Sequence, residues 1–152
     1  MVHLRRANSH EGSKILDLVK SVLSDYGLEI NPEETDRDLS DLDYYYFNKN
    51  GWFAVIEEEN EIIGSYGIIR IDEKTCELRK MYLLQKFQGQ WLGRLMMMDA
   101  LEKAKELGYS MMVLETNKIL DKALSMYQKF GFMQYIPPHL SQRCNIAMRL
   151  KL

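Results

Sequence analysis

Two hydrophobic periods divide the chain. From Ser13 to Leu23 the apolar positions Ile15, Leu16, Leu18, Val19, Val22 and Leu23 form one helical stripe, and Gly27 supplies a C-terminal stop. Before it, Val2–Arg6 alternates loosely and predicts a short first strand. After the polar stretch NPEETDRD, a second helix is predicted over Asp36–Phe47. Trp52–Glu57, Ile62–Ile71 and Glu77–Leu84 then read as three strands with short connections, an antiparallel meander. Leu92, Leu95, Met96, Ala100, Leu101 and Ala104 return to helical spacing and place a long helix over Trp91–Leu107, punctuated by Gly108. Ser110–Leu114 reads as a buried strand and Ile119–Phe130 as an amphipathic helix ending at Gly131. Phe132–Tyr135 and Asn145–Lys151 complete the set as strands. This order implies a mixed α/β layout, one sheet with helices on its faces.

The length of 152 residues suits one domain, and 46% apolar with 28% charged residues is enough for an ordinary core. A net charge of −2 gives no clustered basic face, which argues against nucleic-acid binding as a main function. Cys76 and Cys144 have no spaced Cys or His companions, so no metal site is expected. Isolated cysteines suit a reducing compartment, and no stretch approaches the ~20 apolar residues of a membrane span. A soluble cytoplasmic protein without membrane contact is the expectation. His3, His10 and His139 form no pattern. Met96, Met97 and Met98 read as adaptable core packing.

The segment ELRKMYLLQKFQGQWLGRLMM carries the first chemical signal. Strand, glycine-bearing loop and helix start are adjacent there, so backbone N–H groups converge at a positive helix end, an arrangement that binds phosphate. Gly89 and Gly93 let backbone approach a ligand. From spacing alone, two glycines in a strand-to-helix turn are equally an ordinary turn. No Gly-Lys-Ser/Thr follows, and GxGxxG is absent, which excludes a Walker loop and a dinucleotide fingerprint.

Glu77–Phe132 resembles the core of the GNAT acyltransferase superfamily through ELRKMYLL, QGQWLG, LETN and ALSMYQKFGF in order. Gln88, Leu92 and Gly93 fit the family loop (Gln or Arg)-x-x-Gly-x-(Gly or Ala). Gly89 matches a glycine common in relatives, but Trp91 stands at the central glycine position. Because that position opens a helix, ordinary helical angles are expected for Trp91. Val22–Leu42 resembles one bacterial subgroup more weakly. The resemblance implies a single GNAT domain over residues 1–152. Its fold would be a mostly antiparallel sheet of about six to seven strands, splayed in the middle and flanked by about four helices.

The resemblance further implies an acetyl-CoA-dependent N-acetyltransferase that moves acetyl directly to a primary amine, without a covalent acyl-enzyme. Acetyl-CoA as cosubstrate would run along Met81, Tyr82 and Leu83, the backbone of Met81 and Leu83 pairing with its pantetheine arm. Its pyrophosphate would meet the amides of Gln88, Gly89, Gln90, Trp91, Leu92, Gly93 and Arg94. Asn117 would either hydrogen-bond CoA or cap the helix beginning near Ile119. Leu120 stands where the family often has asparagine. Tyr127 would be the acid for the departing thiolate, and Glu77 or Glu115 the base for the ammonium, directly or through water. Ordinary readings stand beside these, Tyr127 as core and each carboxylate as a solvated strand end.

The acceptor is expected to be a small-molecule amine, with the acids of Glu33–Asp43 drawing its ammonium. The rings of Tyr44, Tyr45, Tyr46 and Phe47 either edge the acceptor pocket or pack beneath a helix. Rival readings are a CoA-binding regulatory or interaction protein with little catalysis, and a transferase using a longer acyl group. A homodimer paired through the last strands also fits the resemblance.

Overall fold

The computed structural model describes the whole chain, residues 1–152. Seven strands form one sheet in the order β1-β2-β3-β4-β5-β7-β6. They are β1 (Val2–Arg6), β2 (Trp52–Glu58), β3 (Glu61–Arg70), β4 (Thr75–Leu83), β5 (Met111–Thr116), β6 (Met133–Tyr135) and β7 (Ile146–Lys151). Every neighbouring pair is antiparallel except β4 with β5. Helices α1 (Gly12–Ser24), α2 (Leu42–Tyr45), α3 (Leu92–Glu106) and α4 (Asp121–Lys129) flank it. No helix is long and apolar enough to cross a membrane.

Strand alternation sorts the core into two layers. On β2, Ala54 and Ile56 join Met96, Met97 and Ala100 of α3 and Tyr127 of α4. Phe53 and Val55 face the other way, toward Ile15, Val19 and Leu23 of α1, Leu42 of α2 and Tyr46. Each fully buried valine, leucine, isoleucine, phenylalanine or methionine among them contributes about 1.5–3 kcal/mol against exposure.

The Asp36–Phe47 helix does not form as one element. Arg37–Ser40 and Phe47–Lys49 are 3-10 turns, with only Leu42–Tyr45 α-helical between them. Short polar side chains take over backbone hydrogen bonds there and favour caps over a helix interior. Asp36 accepts from the Asn31 N–H at 2.7 Å, and Asp41 is extended and caps α2 through the Tyr44 N–H. Likewise α4 begins at Asp121, because Asn117 Oδ1 accepts the Ile119 N–H at 3.0 Å and fixes a turn first. Strand β5 runs on to Thr116, so Glu115 lies inside it.

Two irregularities of β4 shape the site. Ser65 of β3 pairs with Tyr82 but Gly67 with Arg79, and Lys80 sits at φ 55°, the signature of a bulge. Leu78, Met81 and Leu83 keep to the α3/α4 layer. Consecutive Arg79 and Lys80 both turn to the α1 side, where each meets the charge of Asp38. Strand β4 also pairs with β5 only at Thr75–Met111, Cys76–Met112 and Glu77–Val113. Beyond that the strands part, and the sheet is splayed.

Candidate active site

The splay opens a cavity of about 460 Å³ between β4 and β5, bounded by the Gln88–Arg94 loop, α4 and the Ser141–Cys144 segment. At one end lies the start of α3. The first bonded amide of that turn is Leu95, which donates to Trp91 O at 2.9 Å. The N–H groups of Gly89, Gln90, Trp91, Leu92, Gly93 and Arg94 donate to no protein acceptor. A row of free donors at a positive helix end fits an anionic phosphate group, and Arg94 and Lys122 line the cavity beside it. Gln88 donates through Nε2 to Leu83 O at 3.0 Å, while its buried Oε1 has no partner and is available to a ligand N–H.

Of the sequence-derived binding residues, Met81, Tyr82, Leu83, Gln88, Gly89, Trp91, Gly93, Arg94 and Asn117 line this cavity. Gln90 and Leu92 do not; the Gln90 side chain reaches back to Lys86 O and Leu92 packs on the core. Both polar atoms of the Asn117 side chain are engaged, Nδ2 with Arg143 O and Oδ1 with the Ile119 N–H. It therefore acts as a turn former.

Trp91 does not adopt the helical angles expected of it. Its φ of 74° and ψ of −7° are left-handed, conformation natural to glycine, and its side chain is 83% exposed. The loop closure, not the helix start, sets the backbone at this position. Left-handed backbone costs a non-glycine residue about 1–2 kcal/mol, partly offset by the extra chain entropy of glycine. Trp91→Gly is therefore expected to raise stability by about 0.5–1 kcal/mol with acetyl-CoA affinity equal or improved. Urea melts and calorimetry check this, and a large loss of affinity would mean that the indole itself packs on the ligand.

At the other end the structure brings Glu77, Glu115 and Tyr127 to the same cavity. Glu77 is in register with Val113 and Glu115 follows two residues later, so both carboxylates project from one face across the splay. Glu77 bonds Arg79 Nε at 2.5 Å, and Glu115 accepts the Ser141 N–H at 2.9 Å. Tyr127 is buried on α4, edge-on to Phe132 with centroids 5.8 Å apart. Burial, with Tyr82 and Cys144 nearby, pushes its hydroxyl well above the usual tyrosine range, so it holds its proton at neutral pH. That hydroxyl makes no hydrogen bond within the protein.

The sequence reading missed a buried ionic cluster on the α1 side of the cavity. Lys80 Nζ lies 3.2 Å from Asp36 and 3.1 Å from Asp38, and Arg143 forks onto Asp36 at 2.7 and 2.8 Å. Burial pushes the Asp36 carboxyl up, but the Arg143 hydrogen bonds and the Lys80 charge outweigh it and hold it at about 2. Tyr46 is fully buried and donates to Asp38. One expectation changes accordingly, and of the two readings of the aromatic run the packing one holds. Asp36 and Asp38 are neutralised by cations of the fold and are not free to draw a substrate ammonium. No ring of Tyr44–Phe47 lines the cavity, and Tyr46 packs in the α1 layer. The available signal was Lys80, next to Arg79 and only three residues from Glu77 in a covered strand, since charges buried there require partners.

Comparisons agree with this geometry. Residues 16–132 match the acetyltransferase (GNAT) family. The uncharacterized N-acetyltransferase YjgM of Escherichia coli is 31% identical over 134 residues, 85% of this chain and 80% of that protein. A GNAT-family acetyltransferase of Staphylococcus aureus superposes with a TM-score of 0.90 at 19% identity, covering 99% of both chains. One from Elizabethkingia anophelis, solved with acetyl-CoA bound, gives 0.66 at 24% identity over 100% of this chain and 97% of that one. With a family match across most of its length, a splayed sheet and free amides at the head of α3, this chain belongs to the GNAT acetyltransferase family.

Proposed function

We propose that this N-acetyltransferase holds acetyl-CoA in the splay and passes the acetyl group directly to the primary amine of a small molecule. The observation that carries the reading is the row of unengaged amides from Gly89 to Arg94 at the head of α3. A relative of the same fold with acetyl-CoA bound supports it. The unpaired stretch of β4 at Met81–Leu83 offers backbone groups to an extended arm, as an added strand would use them.

Bound acetyl-CoA supplies the acetyl group as a thioester. Glu77 or Glu115 takes a proton from the acceptor ammonium, freeing the lone pair that forms the amide C–N bond. As the C–S bond breaks, Tyr127 gives its proton to the departing thiolate, and the second proton of the amine nitrogen, lost as the amide forms, passes through water to reprotonate Tyr127. Ser141, Arg143 and Cys144 line the cavity beside Glu115, and its volume of about 460 Å³ suits a compact amine. A single domain, a cytoplasmic setting and a homodimer paired through the last strands complete the reading. Exposed Met133 and Ile136 beside the β6 edge support the pairing.

Gly93→Asp tests the cofactor site. A Cβ at Gly93 meets only Met126 Sδ at 3.5 Å, so the fold accommodates a side chain there. A carboxylate beside the free amides opposes the pyrophosphate. Wild-type protein is expected to bind acetyl-CoA in calorimetry and the variant to bind at least about tenfold more weakly. Wild-type protein that fails to bind sinks the reading.

A further inference from the structure

We infer that the amine acceptor also carries a carboxylate, and that Arg79 is the residue that receives it. The inference rests on the transferase reading above and names its substrate class. Three cations approach the acceptor side of the cavity, namely Arg79, Lys80 and Arg143. Two are already matched. Lys80 Nζ sits between Asp36 and Asp38 and reaches Thr35 O, and Arg143 directs both terminal nitrogens at Asp36.

Arg79 is different. Only its Nε donates within the protein, to Glu77 Oε1, and its two terminal nitrogens have no protein acceptor. Its side chain is 37% exposed and lines the cavity. A guanidinium fork with unused donors at a cleft matches the planar, bidentate geometry of a carboxylate. Strand alternation places Arg79 on the same face as Glu77, and the bulge that follows turns Lys80 to that face as well, where it takes up Asp36 and Asp38.

The carboxylates of Glu77 and Glu115 stand on that same face and suit the ammonium of the acceptor. The charged ends of Glu77 and Arg79 meet at 2.5 Å, so a single small zwitterion lying over the pair can reach the carboxylate and the free terminal nitrogens at once. An α-amino acid or a close analogue fits this polarity, its ammonium toward the carboxylates and its carboxylate toward Arg79.

Matched pairs of acceptors test the assignment. Thiol release from acetyl-CoA is followed with leucine against leucinamide and phenylalanine against phenylalaninamide, over a pH series that allows for their different amine pKa values. Wild-type protein is expected to favour the acids in kcat/KM by about tenfold or more, the worth of a charge-assisted hydrogen bond. In Arg79→Gln the acid-to-amide ratio falls toward one, with the loss in KM for the acid, and Arg79→Lys keeps an intermediate ratio. Amides used as well as acids by wild type overturn the inference, as does an Arg79→Gln variant that loses acids and amides alike. Release with neither member of any pair overturns it too; acetyl-CoA binding by the same wild-type sample then leaves the transferase reading standing, and its absence removes both.

Discussion

Tyr127→Phe is expected to lower kcat by about 10²–10⁴-fold, the usual worth of a positioned general acid. The ring packs edge-on to Phe132 in the α3/α4 layer, and phenylalanine retains that contact. The hydroxyl makes no hydrogen bond within the protein, so its removal leaves no buried group unpaired. Stability should therefore change by less than about 1 kcal/mol, and acetyl-CoA affinity by little. This split separates the acid role from that of an ordinary core tyrosine. Steady-state kinetics with any acceptor that turns over, beside a urea melt, makes the comparison. An unchanged kcat would return Tyr127 to the core and leave protonation of the thiolate to water.

Asp36→Ala carries the largest expected cost in stability. It leaves the Lys80 ammonium, only 4% exposed, with Asp38 alone, and strips Arg143 of its bidentate partner. Breaking a buried ion pair from one side costs about 3–5 kcal/mol, against a typical total of about 5–15. Arg143 is 12% exposed and can turn to water, which places the effect at the lower end of that range. The same carboxylate sets a pH signature. Its pKa is about 2 in the fold against an ordinary 3.8, so its contribution is complete above 3.8 and is lost as pH falls from there through 2. That difference corresponds to about 2 kcal/mol. The advantage of wild type over the variant should accordingly be full at neutral pH and shrink between pH about 4 and 2. A constant gap across that window, or a loss below 1 kcal/mol at neutral pH, would show the cluster to be effectively solvated.

The elements that the sequence revealed are those whose burial is periodic. WFAVIE and SMMVL are apolar runs of strand length flanked by turn residues, and the Leu92–Ala104 stripe has the period of a helix. The proposed phosphate loop and Tyr127 were visible only through the family resemblance of QGQWLG and ALSMYQKFGF, since spacing alone left an ordinary turn and an ordinary helix tyrosine. What was hidden depends on contacts across the fold. Arg143 stands 107 residues from Asp36, and no local pattern joins them. Simple alternation puts Arg79 and Lys80 on opposite faces, and only the bulge, set by pairing with β3, brings them together. At Trp91 the residue type argues against the left-handed backbone that the loop imposes. The broken second helix has the same origin, since Asp36 and Asp41 serve a distant cluster and a cap at positions where apolar spacing alone suggested continuity.

The seam between β4 and β5 reaches beyond ligand binding. Three residue pairs are all that join the meander of β1 to β4 with the β5-β7-β6 unit in the sheet. Each unit satisfies most of its own backbone groups, as small cooperative units do. Asp36 reinforces the seam by gripping Lys80 of the first unit and Arg143 of the second. The halves are nevertheless not separate bodies: beneath the narrow seam one apolar core runs through both, Ala54, Ile56 and Ile63 packing in the same cluster as Met112, Leu114 and Met148.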